Sequence, residues 1–307
     1  MKRSALWMMM LALSALTACG GGNQQKTDQK DEASSQKAAP DEKSSDGEGG
    51  MKGETMTAED MMGGPEDAAM EDNGILLTPM SATPMAGSPQ YPDAKLEFKG
   101  APKVKGLKAT FDFNVMNYEL MTQTADAADK GLANSGKGQH IHLIVNNRPY
   151  NAIYEPPFTK EYEEGHYVAL AFFARSYHES LKSESAYQLQ QFNVGNSDKE
   201  VDLNKAALFY SRPKGTYSGA GAEKILFDFY LHNTTIGPDG NMVRMMVETS
   251  AGDQAEFEIT KWQPYIVEGL PMGENTITIE LLGPDGQPVE DALFNKESRT
   301  FTLEAGA

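Results

Sequence analysis

The sequence contains a single cysteine, Cys19, among its 307 residues. A disulfide within one chain is therefore excluded, and packing alone must hold each folded domain together. Positive charge is also scarce, since 27 Lys and Arg residues stand against 44 Asp and Glu residues, which gives a net charge of −17. A chain this acidic repels phosphate backbones and anionic lipid surfaces, so we expect no nucleic-acid partner and no polybasic membrane contact.

The sequence signatures of common catalytic sites are missing as well. There is no G-x-S-x-G nucleophile motif, no phosphate-binding loop and no dinucleotide-binding fingerprint. Once Cys19 is lipidated, no thiol remains to act as a nucleophile. The sequence thus predicts a protein that is not an enzyme.

The N-terminal region has the layout of a secretory signal. Two basic residues precede a short apolar run, which ends in Leu16, Thr17, Ala18 and Cys19. The cysteine resembles the lipobox of bacterial lipoproteins, which predicts a signal peptide over residues 1–18 and a Cys19 that carries fatty-acyl groups such as palmitate. Gly20 is not the aspartate associated with inner-membrane retention. We therefore expect a lipid anchor in the outer membrane, with the protein facing the periplasm or the cell surface.

Residues 19–93 read as a disordered acidic tether. Gly, Gln, Lys, Asp, Glu, Ser, Ala and Pro dominate, and within this segment no aromatic residue occurs before Tyr91, so the segment cannot bury enough apolar surface to order itself. Thioethers are soft ligands that favour Cu(I), so its methionines could capture copper; the alternative is a biased linker that tolerates methionine. The tether methionines are Met51, Met56, Met61, Met62, Met70, Met80 and Met85.

From Leu96 onward the sequence changes to short runs that alternate apolar and polar residues. The runs are rich in β-branched and aromatic residues and are bounded by Gly, Asn, Pro and Asp, which is typical of β-strands. Helix is expected only over residues 122–132. The predicted strands cover residues 109–120, 139–145, 166–173, 187–194, 225–233, 241–248, 254–260, 274–282 and 298–303.

The strands form two series that resemble each other. The motif F-D-F with an asparagine four residues after its second Phe occurs at Phe111 and again at Phe227, and G-Q-H-I-H-L-I-V corresponds to G-N-M-V-R-M-M-V. Corresponding positions in the two series are 102 to 116 residues apart, and spacings of this size are those of whole domains. The sequence predicts an all-β protein with two tandem antiparallel immunoglobulin-like β-sandwiches, over residues 94–196 and 197–307.

Histidine distinguishes the first repeat from the second. His140, His142, His166 and His178 all lie in the first domain. Two residues apart on a strand, His140 and His142 project from the same face, and such a pair can supply two imidazoles to copper or zinc. His166 or His178 could complete the ligand set. The alternative is that His140 and His142 are solvated or hydrogen-bonded strand residues.

A second cluster is cationic. Arg175, His178, Arg212 and Lys214 follow predicted strands, where loops present binding groups from a rigid scaffold. They could hold a phosphate or a carboxylate through charge-assisted hydrogen bonds. The alternative is that the two arginines pair with nearby acidic side chains such as Glu179.

Several long motifs occur in order along the chain, among them G-Q-H-I-H-L-I-V-N-N-R-P-Y, Y-E-P-P-F, R-S-Y-H-E-S and L-F-Y-S-R-P-K-G-T-Y. Through these motifs, residues 91–303 resemble a family of two-domain envelope lipoproteins of Gram-negative bacteria. Some members carry a phosphopeptide-binding name, which implies a forkhead-associated sandwich with G-R, S-x-x-H and N-G motifs. This sequence departs from that pattern, because it has no G-R and Ser135 precedes His140 by five residues.

Three functional hypotheses follow. The first is a non-enzymatic, lipid-anchored binding or accessory protein, whose first sandwich binds an unknown protein, peptide or small ligand. The second is a copper- or zinc-handling lipoprotein that uses His140, His142 and the Met-rich tether. The third is phosphopeptide or other anion binding through Arg175 and Arg212. A purely structural envelope spacer is a further alternative.

Overall fold

The computed structural model describes residues 79–306, and this part of the chain folds almost entirely as β-strands. The predicted signal peptide, Cys19 and the predicted tether before residue 79 lie outside the described residues. Between residues 79 and 306, no helix is long and apolar enough to cross a membrane. The first ten strands are β1 (Ser81–Pro84), β2 (Lys95–Phe98), β3 (Lys103–Lys105), β4 (Lys108–Phe111), β5 (Phe113–Met116), β6 (His140–Val145), β7 (Asn151–Ile153), β8 (Phe158–Glu161), β9 (Gly165–Ala174) and β10 (Tyr187–Val194). The remaining strands are β11 (Ala207–Arg212), β12 (Gly215–Ser218), β13 (Ile225–His232), β14 (Met242–Thr249), β15 (Gln254–Ile259), β16 (Tyr265–Glu268), β17 (Gly273–Leu282) and β18 (Lys296–Glu304).

The strands form two sandwiches, as the sequence predicts, and every pair of strands in the described residues is antiparallel except the parallel pair β12–β18. In the first sandwich, a four-stranded sheet of order β10-β9-β6-β7 faces the smaller sheets β3-β4-β8 and β2-β5. In the second, a five-stranded sheet of order β12-β18-β17-β14-β15 faces the sheet β1-β16-β13-β11. Each pair of sheets encloses a core of alternating inward-facing side chains, such as Phe111 and Phe173 in the first sandwich and Phe227 and Ile279 in the second.

The two sandwiches share a strand order, which supports the repeat found in the sequence. The central strands β6 and β9 of the first sandwich correspond to β14 and β17 of the second, and the flanking strand β10 corresponds to β18. The match extends to the backbone. Asn117 and Asn233, which follow the F-D-F motifs, both adopt a left-handed conformation, with φ angles of 54° and 48°. Asparagine tolerates this conformation better than most residues.

The end of the predicted tether is folded, so its boundary at residue 93 is wrong. β1 pairs antiparallel with β16 at the edge of the second sandwich. Met80 packs against the core of that sandwich, and Met85 packs against a small apolar cluster around Tyr177. These two methionines are therefore packing residues. The strand escaped prediction because its four residues, S-A-T-P, carry almost no apolar pattern, and the pairing with β16 is set by tertiary contacts.

The expected helix over residues 122–132 is also wrong. This segment forms turns instead. Thr124 is fixed by two hydrogen bonds with Ser176: its backbone N–H donates to the Ser176 hydroxyl at 3.2 Å, and the Ser176 N–H donates to the Thr124 hydroxyl at 2.9 Å. Within residues 79–306, helical structure is limited to two short 3₁₀ turns, Glu184–Ala186 and Gly219–Ala222.

The two sandwiches pack against each other through the outer face of the β10-β9-β6-β7 sheet. Phe172 of β9 stacks on Tyr230 of β13, with ring centroids 4.8 Å apart. Asn147, which follows β6, accepts the Tyr210 N–H at 2.8 Å and donates to the Leu208 carbonyl at 3.0 Å. A sheet face that would meet water in an isolated domain is therefore a buried apolar layer in this chain.

A buried ion pair crosses the same interface. Asp228 of β13 is fully buried, and its Oδ1 lies 2.7 Å from Nζ of Lys182, which follows β9. Asp228 also accepts the backbone N–H of Ser180 at 3.2 Å. In the first repeat the corresponding residue, Asp112, forms a largely exposed pair with Lys99 at 3.2 Å. The same repeat position thus makes a surface contact in one copy and an interdomain contact in the other.

We predict that Lys182→Met lowers the free energy of unfolding by about 3–5 kcal/mol, because it leaves the Asp228 carboxylate buried without a counter-charge. The double variant Lys182→Met/Asp228→Asn should recover much of this loss, since the amide oxygen can still accept the Ser180 N–H. Urea denaturation followed by tryptophan fluorescence measures both values. Lys99→Met is the matched control and should cost at most about 1 kcal/mol; equal losses at Lys99 and Lys182 would contradict the prediction.

Candidate metal centre

Two of the four histidines in the first domain lie side by side on β6. Because side chains alternate along a strand, Ile141 and Leu143 point into the first sandwich core while His140 and His142 point out of it. Both imidazoles are nevertheless fully buried, since the second sandwich covers that face. Of the two alternatives to a metal site, solvated strand positions are therefore wrong, whereas hydrogen-bonded strand residues agree with the structure.

His178 reaches the same place from the turn that follows β9. The turn is closed by the Arg175 N–H, which donates to the Glu179 carbonyl, and by the His178 N–H, which donates to the Arg175 carbonyl, both at 2.8 Å. His178 itself has a φ of 71°, in the left-handed region that non-glycine residues seldom adopt. This backbone conformation directs the imidazole back towards β6.

The three imidazoles converge. Nε2 of His140 lies 2.9 Å from Nε2 of His142 and 3.1 Å from Nδ1 of His178. All three nitrogens lie within 4.8 Å of one another. Nitrogens on a tetrahedral zinc ion are separated by about 3.3 Å, given bonds of about 2.0–2.1 Å. Two of the separations are close to this value, and the third, between His142 and His178, is at most 4.8 Å, so these two rings must move closer together for all three to bind one ion.

The protons on these rings can be placed from their partners. Nδ1 of His140 lies 2.9 Å from the Gly138 carbonyl, which can only accept, so this nitrogen carries the proton. Nε2 of His140 can then accept a hydrogen bond from Nε2 of His142, while Nδ1 of His178 can accept one from the Tyr150 hydroxyl. This arrangement satisfies the metal-free cluster but leaves two acceptor nitrogens, of His140 and His178, 3.1 Å apart. A metal ion would receive the lone pairs of all three nitrogens.

The surroundings keep the imidazoles neutral. Burial lowers the pKa of His140 to about 4, with the positive charges of Arg212 and Lys214 acting in the same direction. Burial also lowers the pKa values of His142 and His178 well below the usual value for histidine. Neutral imidazole is the form that binds metal ions. The ligands therefore do not need to lose a proton at neutral pH before an ion can bind.

A second layer of side chains orients the rings. Nδ1 of His142 lies 3.5 Å from the hydroxyl of Ser211 on β11, and the His142 ring stacks on Tyr150 with centroids 3.5 Å apart. The Tyr150 hydroxyl lies 3.3 Å from Nδ1 of His178 and accepts a 2.7 Å hydrogen bond from Arg212. Such outer partners fix ring orientation at metal sites. The sequence did not identify Tyr150 and Ser211 as partners of the histidines. The one signal for Tyr150 is its position directly before β7, the strand that pairs with β6.

The structure does not bring His166 to the cluster. It begins β9, whereas His140 pairs with Ala174 at the other end of the same strand. Nε2 of His166 instead lies 2.7 Å from the side-chain oxygen of Gln191. The inclusion of His166 among the metal ligands is therefore wrong, and the triad consists of His140, His142 and His178.

The predicted cationic cluster separates into two parts. Arg175 is buried in an ion pair with Glu179 at 3.1 Å, and it also donates to the Pro89 carbonyl. It is thus a structural residue, and its assignment to an anion site is wrong. Arg212 and Lys214 lie together with His178 around a cavity of about 460 Å³ between the sandwiches.

The second sandwich shows what the same positions do without histidine. The repeat places Arg244 at the position of His142 and Met242 at that of His140. Arg244 pairs across the strands with Glu280 at 2.6 Å, where the first sandwich pairs His142 with Phe172. A partly exposed salt bridge in one copy therefore corresponds to a buried imidazole in the other.

Comparisons with known proteins bear on the fold alone. No protein-family model matches the chain, and no curated protein matches it. Among solved structures, fibronectin(III)-like modules of CbhA from Clostridium thermocellum are 13% identical, with 68% of this chain and 94% of that chain covered and a TM-score of 0.23. A two-domain fibronectin type III segment of chicken tenascin is 9% identical, with 68% and 98% covered and a TM-score of 0.20. At such scores the sheet topology of the chain itself carries the assignment of tandem sandwiches.

We predict that His142→Phe leaves the stability of the metal-free protein within about 1 kcal/mol of wild type or raises it, because an apolar ring can stack on Tyr150 while His178 can donate to Nε2 of His140 in place of His142. Chemical denaturation in the presence of EDTA measures the effect. Leu143→Ala, one residue away in the core, is the control for sensitivity and should cost about 2–5 kcal/mol. A loss of more than about 2 kcal/mol in His142→Phe would mean that His142 is a satisfied structural residue.

Proposed function

We propose that this chain is a lipid-anchored envelope protein that binds one copper or zinc ion through His140, His142 and His178. The observation that carries the proposal is the convergence of three neutral imidazoles, two fully buried and one partly buried, whose ligand nitrogens all lie within 4.8 Å of one another, with two of the separations 2.9 and 3.1 Å. Two of the ligands belong to a central strand and the third to a short turn, so the set is held by a rigid scaffold.

The donor set favours copper and zinc over harder cations. Imidazole is a good ligand for copper, zinc and nickel, whereas calcium and magnesium prefer oxygen ligands. Divalent copper binds nitrogen sites more tightly than zinc does, so Cu²⁺ should compete successfully at equal concentrations. The Met-rich tether is a second source of copper ligands in this proposal. Its members Met51, Met56, Met61, Met62 and Met70 lie outside the described residues.

Binding or transfer of the ion fits this site better than catalysis. The carboxylate nearest to the triad in sequence, Glu179, pairs with Arg175 and accepts a hydrogen bond from Ser88 at 2.5 Å. It is therefore held away from the role of a general base. The first sandwich acts as the binding module in this proposal, and the second sandwich closes the site by covering the sheet face that carries His140 and His142.

We expect the purified, metal-depleted chain to bind one equivalent of Cu²⁺ or Zn²⁺ and to gain thermal stability in proportion to the logarithm of metal concentration. His140→Gln and His178→Asn should each weaken binding by at least tenfold, and asparagine suits the left-handed backbone at position 178. Isothermal titration calorimetry and elemental analysis measure the affinity and the stoichiometry.

His166→Gln is the matched control, because this histidine lies in the same domain but outside the triad. It should bind metal like the wild type. Metal binding of equal strength in the wild type, His140→Gln and His178→Asn would disprove the triad as the site, and so would less than a tenth of an equivalent bound by the wild type.

The membrane anchor is tested separately. We expect Cys19→Ala to abolish incorporation of labelled palmitate in a Gram-negative host and to move the protein from the outer-membrane fraction to the soluble fraction. The measurement is metabolic labelling followed by membrane fractionation. Met8→Ala, within the apolar run of the predicted signal, is the control and should retain both the label and the location. Labelled palmitate on the Cys19→Ala variant would disprove this anchor.

A further inference from the structure

We propose that the cavity between the sandwiches binds a small oxyanion, a carboxylate or a phosphate, through Arg212 and Lys214, next to the histidine triad. The placement of the anion beside a metal ion rests on the proposed function, whereas the anion site itself rests on the two cations and the cavity. Seven residues supply its polar lining: Asn134, His178, Arg212, Lys214, Thr216, Tyr217 and Ser218.

Arg212 is a buried cation with unused hydrogen-bonding capacity. It is 5% exposed, and its Nη1 donates to the Tyr150 hydroxyl at 2.7 Å. Its Nε has no hydrogen-bond partner within the described part of the chain. No ion pair between residues 79 and 306 includes Arg212, although the protein as a whole has 44 acidic residues. A buried guanidinium without a carboxylate is costly unless a ligand supplies the negative charge.

Lys214 brings a second cation to the same wall. Its Nζ lies 4.0 Å from the centroid of the Tyr150 ring and donates to the Tyr150 carbonyl at 3.2 Å. Burial, together with the charges of Arg212 and Arg299, lowers the pKa of Lys214 to about 8. Positive charge is thus concentrated at one point of an acidic protein, and an anion there would relieve both the desolvation and the mutual repulsion of these groups.

The nearby carboxylate of Asp228 interacts with Arg212 through space but does not form an ion pair with it. Asp228 lies opposite Arg212 in the β11–β13 pairing, but it forms its 2.7 Å ion pair with Lys182 and accepts the Ser180 N–H. The cavity has the size of small-molecule sites, which run from about 300 to 1,000 Å³. It also offers the hydroxyls of Thr216 and Ser218 and the amide of Asn134 as donors, which is the chemistry that an oxyanion requires.

The metal proposal makes an anion at this point more favourable still. A cation held by three neutral imidazoles, with Arg212 and Lys214 beside it, would place at least three positive charges together. His178 borders the cavity and is also a member of the triad, so an oxyanion there would lie next to the ion. The negative charge would offset this repulsion, and one of its oxygens could occupy the position left open by three protein ligands.

The test is calorimetric titration of the full chain with inorganic phosphate and, separately, with malonate, in metal-free and zinc-loaded protein. We expect saturable binding of at least one of the two probes in the metal-free protein, with affinity reduced at least tenfold in Lys214→Met and in Arg212→Gln/Lys214→Met. Lys160→Met is the matched control and should bind like the wild type, because Lys160 is a neighbouring cation that does not line the cavity.

The outcomes separate the anion site from the metal site. Absence of binding in the wild type, or equal affinity in the wild type and in Lys214→Met, would overturn the anion site. Phosphate preferred over malonate, or the reverse, identifies which oxyanion chemistry the cavity selects. The His140→Gln variant should weaken metal binding but keep anion binding to the metal-free form, because His140 does not line the cavity. If zinc leaves the wild-type anion affinity unchanged, the placement beside the ion is wrong while the anion site stands.

Discussion

The packing of the second sandwich onto the outer face of the β10-β9-β6-β7 sheet is the contact on which the candidate site depends. Phe172 and Tyr230 stack at this interface, and Asn147 joins the two halves by hydrogen bonds. The covered face carries His140 and His142. Without this cover, both imidazoles would lie in water, where a pair of strand histidines has ordinary pKa values and no fixed orientation. The interface therefore provides both the burial and the second layer of partners.

Duplication explains how such a site can arise without a change of fold. The two copies share their strand order and even the left-handed asparagines Asn117 and Asn233, so the backbone is common to both. What differs is the environment of one sheet face. In the second copy that face is partly exposed and carries the Arg244–Glu280 salt bridge, whereas in the first copy it is buried and carries His142 against Phe172. Burial favours ring side chains over charged ones at these positions.

The sequence allowed the sandwiches and half of the site to be predicted. Alternation of apolar and polar residues located β6, β9, β10, β14 and β17 closely, and the same alternation placed His140 and His142 on one face. Periodicity identifies a face, but it does not reveal what covers that face. For this reason the burial of the histidines, the role of Tyr150 and the pairing of β1 with β16 could not be predicted.

Whether His166 or His178 joins His140 and His142 depends on local backbone geometry, which sequence patterns do not encode. His166 has the right strand parity but stands at the wrong end of β9, and His178 reaches the cluster only because its turn adopts a left-handed conformation. Arg212 lies where β11 shifts register after Tyr210, an irregularity of the kind that often accompanies binding sites.

Polar groups placed in this interface cost stability that apolar residues there would not. Nε2 of His140 and Nδ1 of His178 face each other as acceptors at 3.1 Å, and Arg212 is buried without a carboxylate ion-pair partner in the described part of the chain. Phe172, Tyr230 and Asn147 hold the two sandwiches together, alongside the hydrogen bond from Arg212 to Tyr150. Unfavourable polar arrangements that persist in an otherwise well-packed interface are typical of binding sites, where a ligand supplies the missing partner. A cation bound by the imidazoles and an anion bound by the Arg212 guanidinium would each provide the missing partner. Their opposite charges would also stabilise each other.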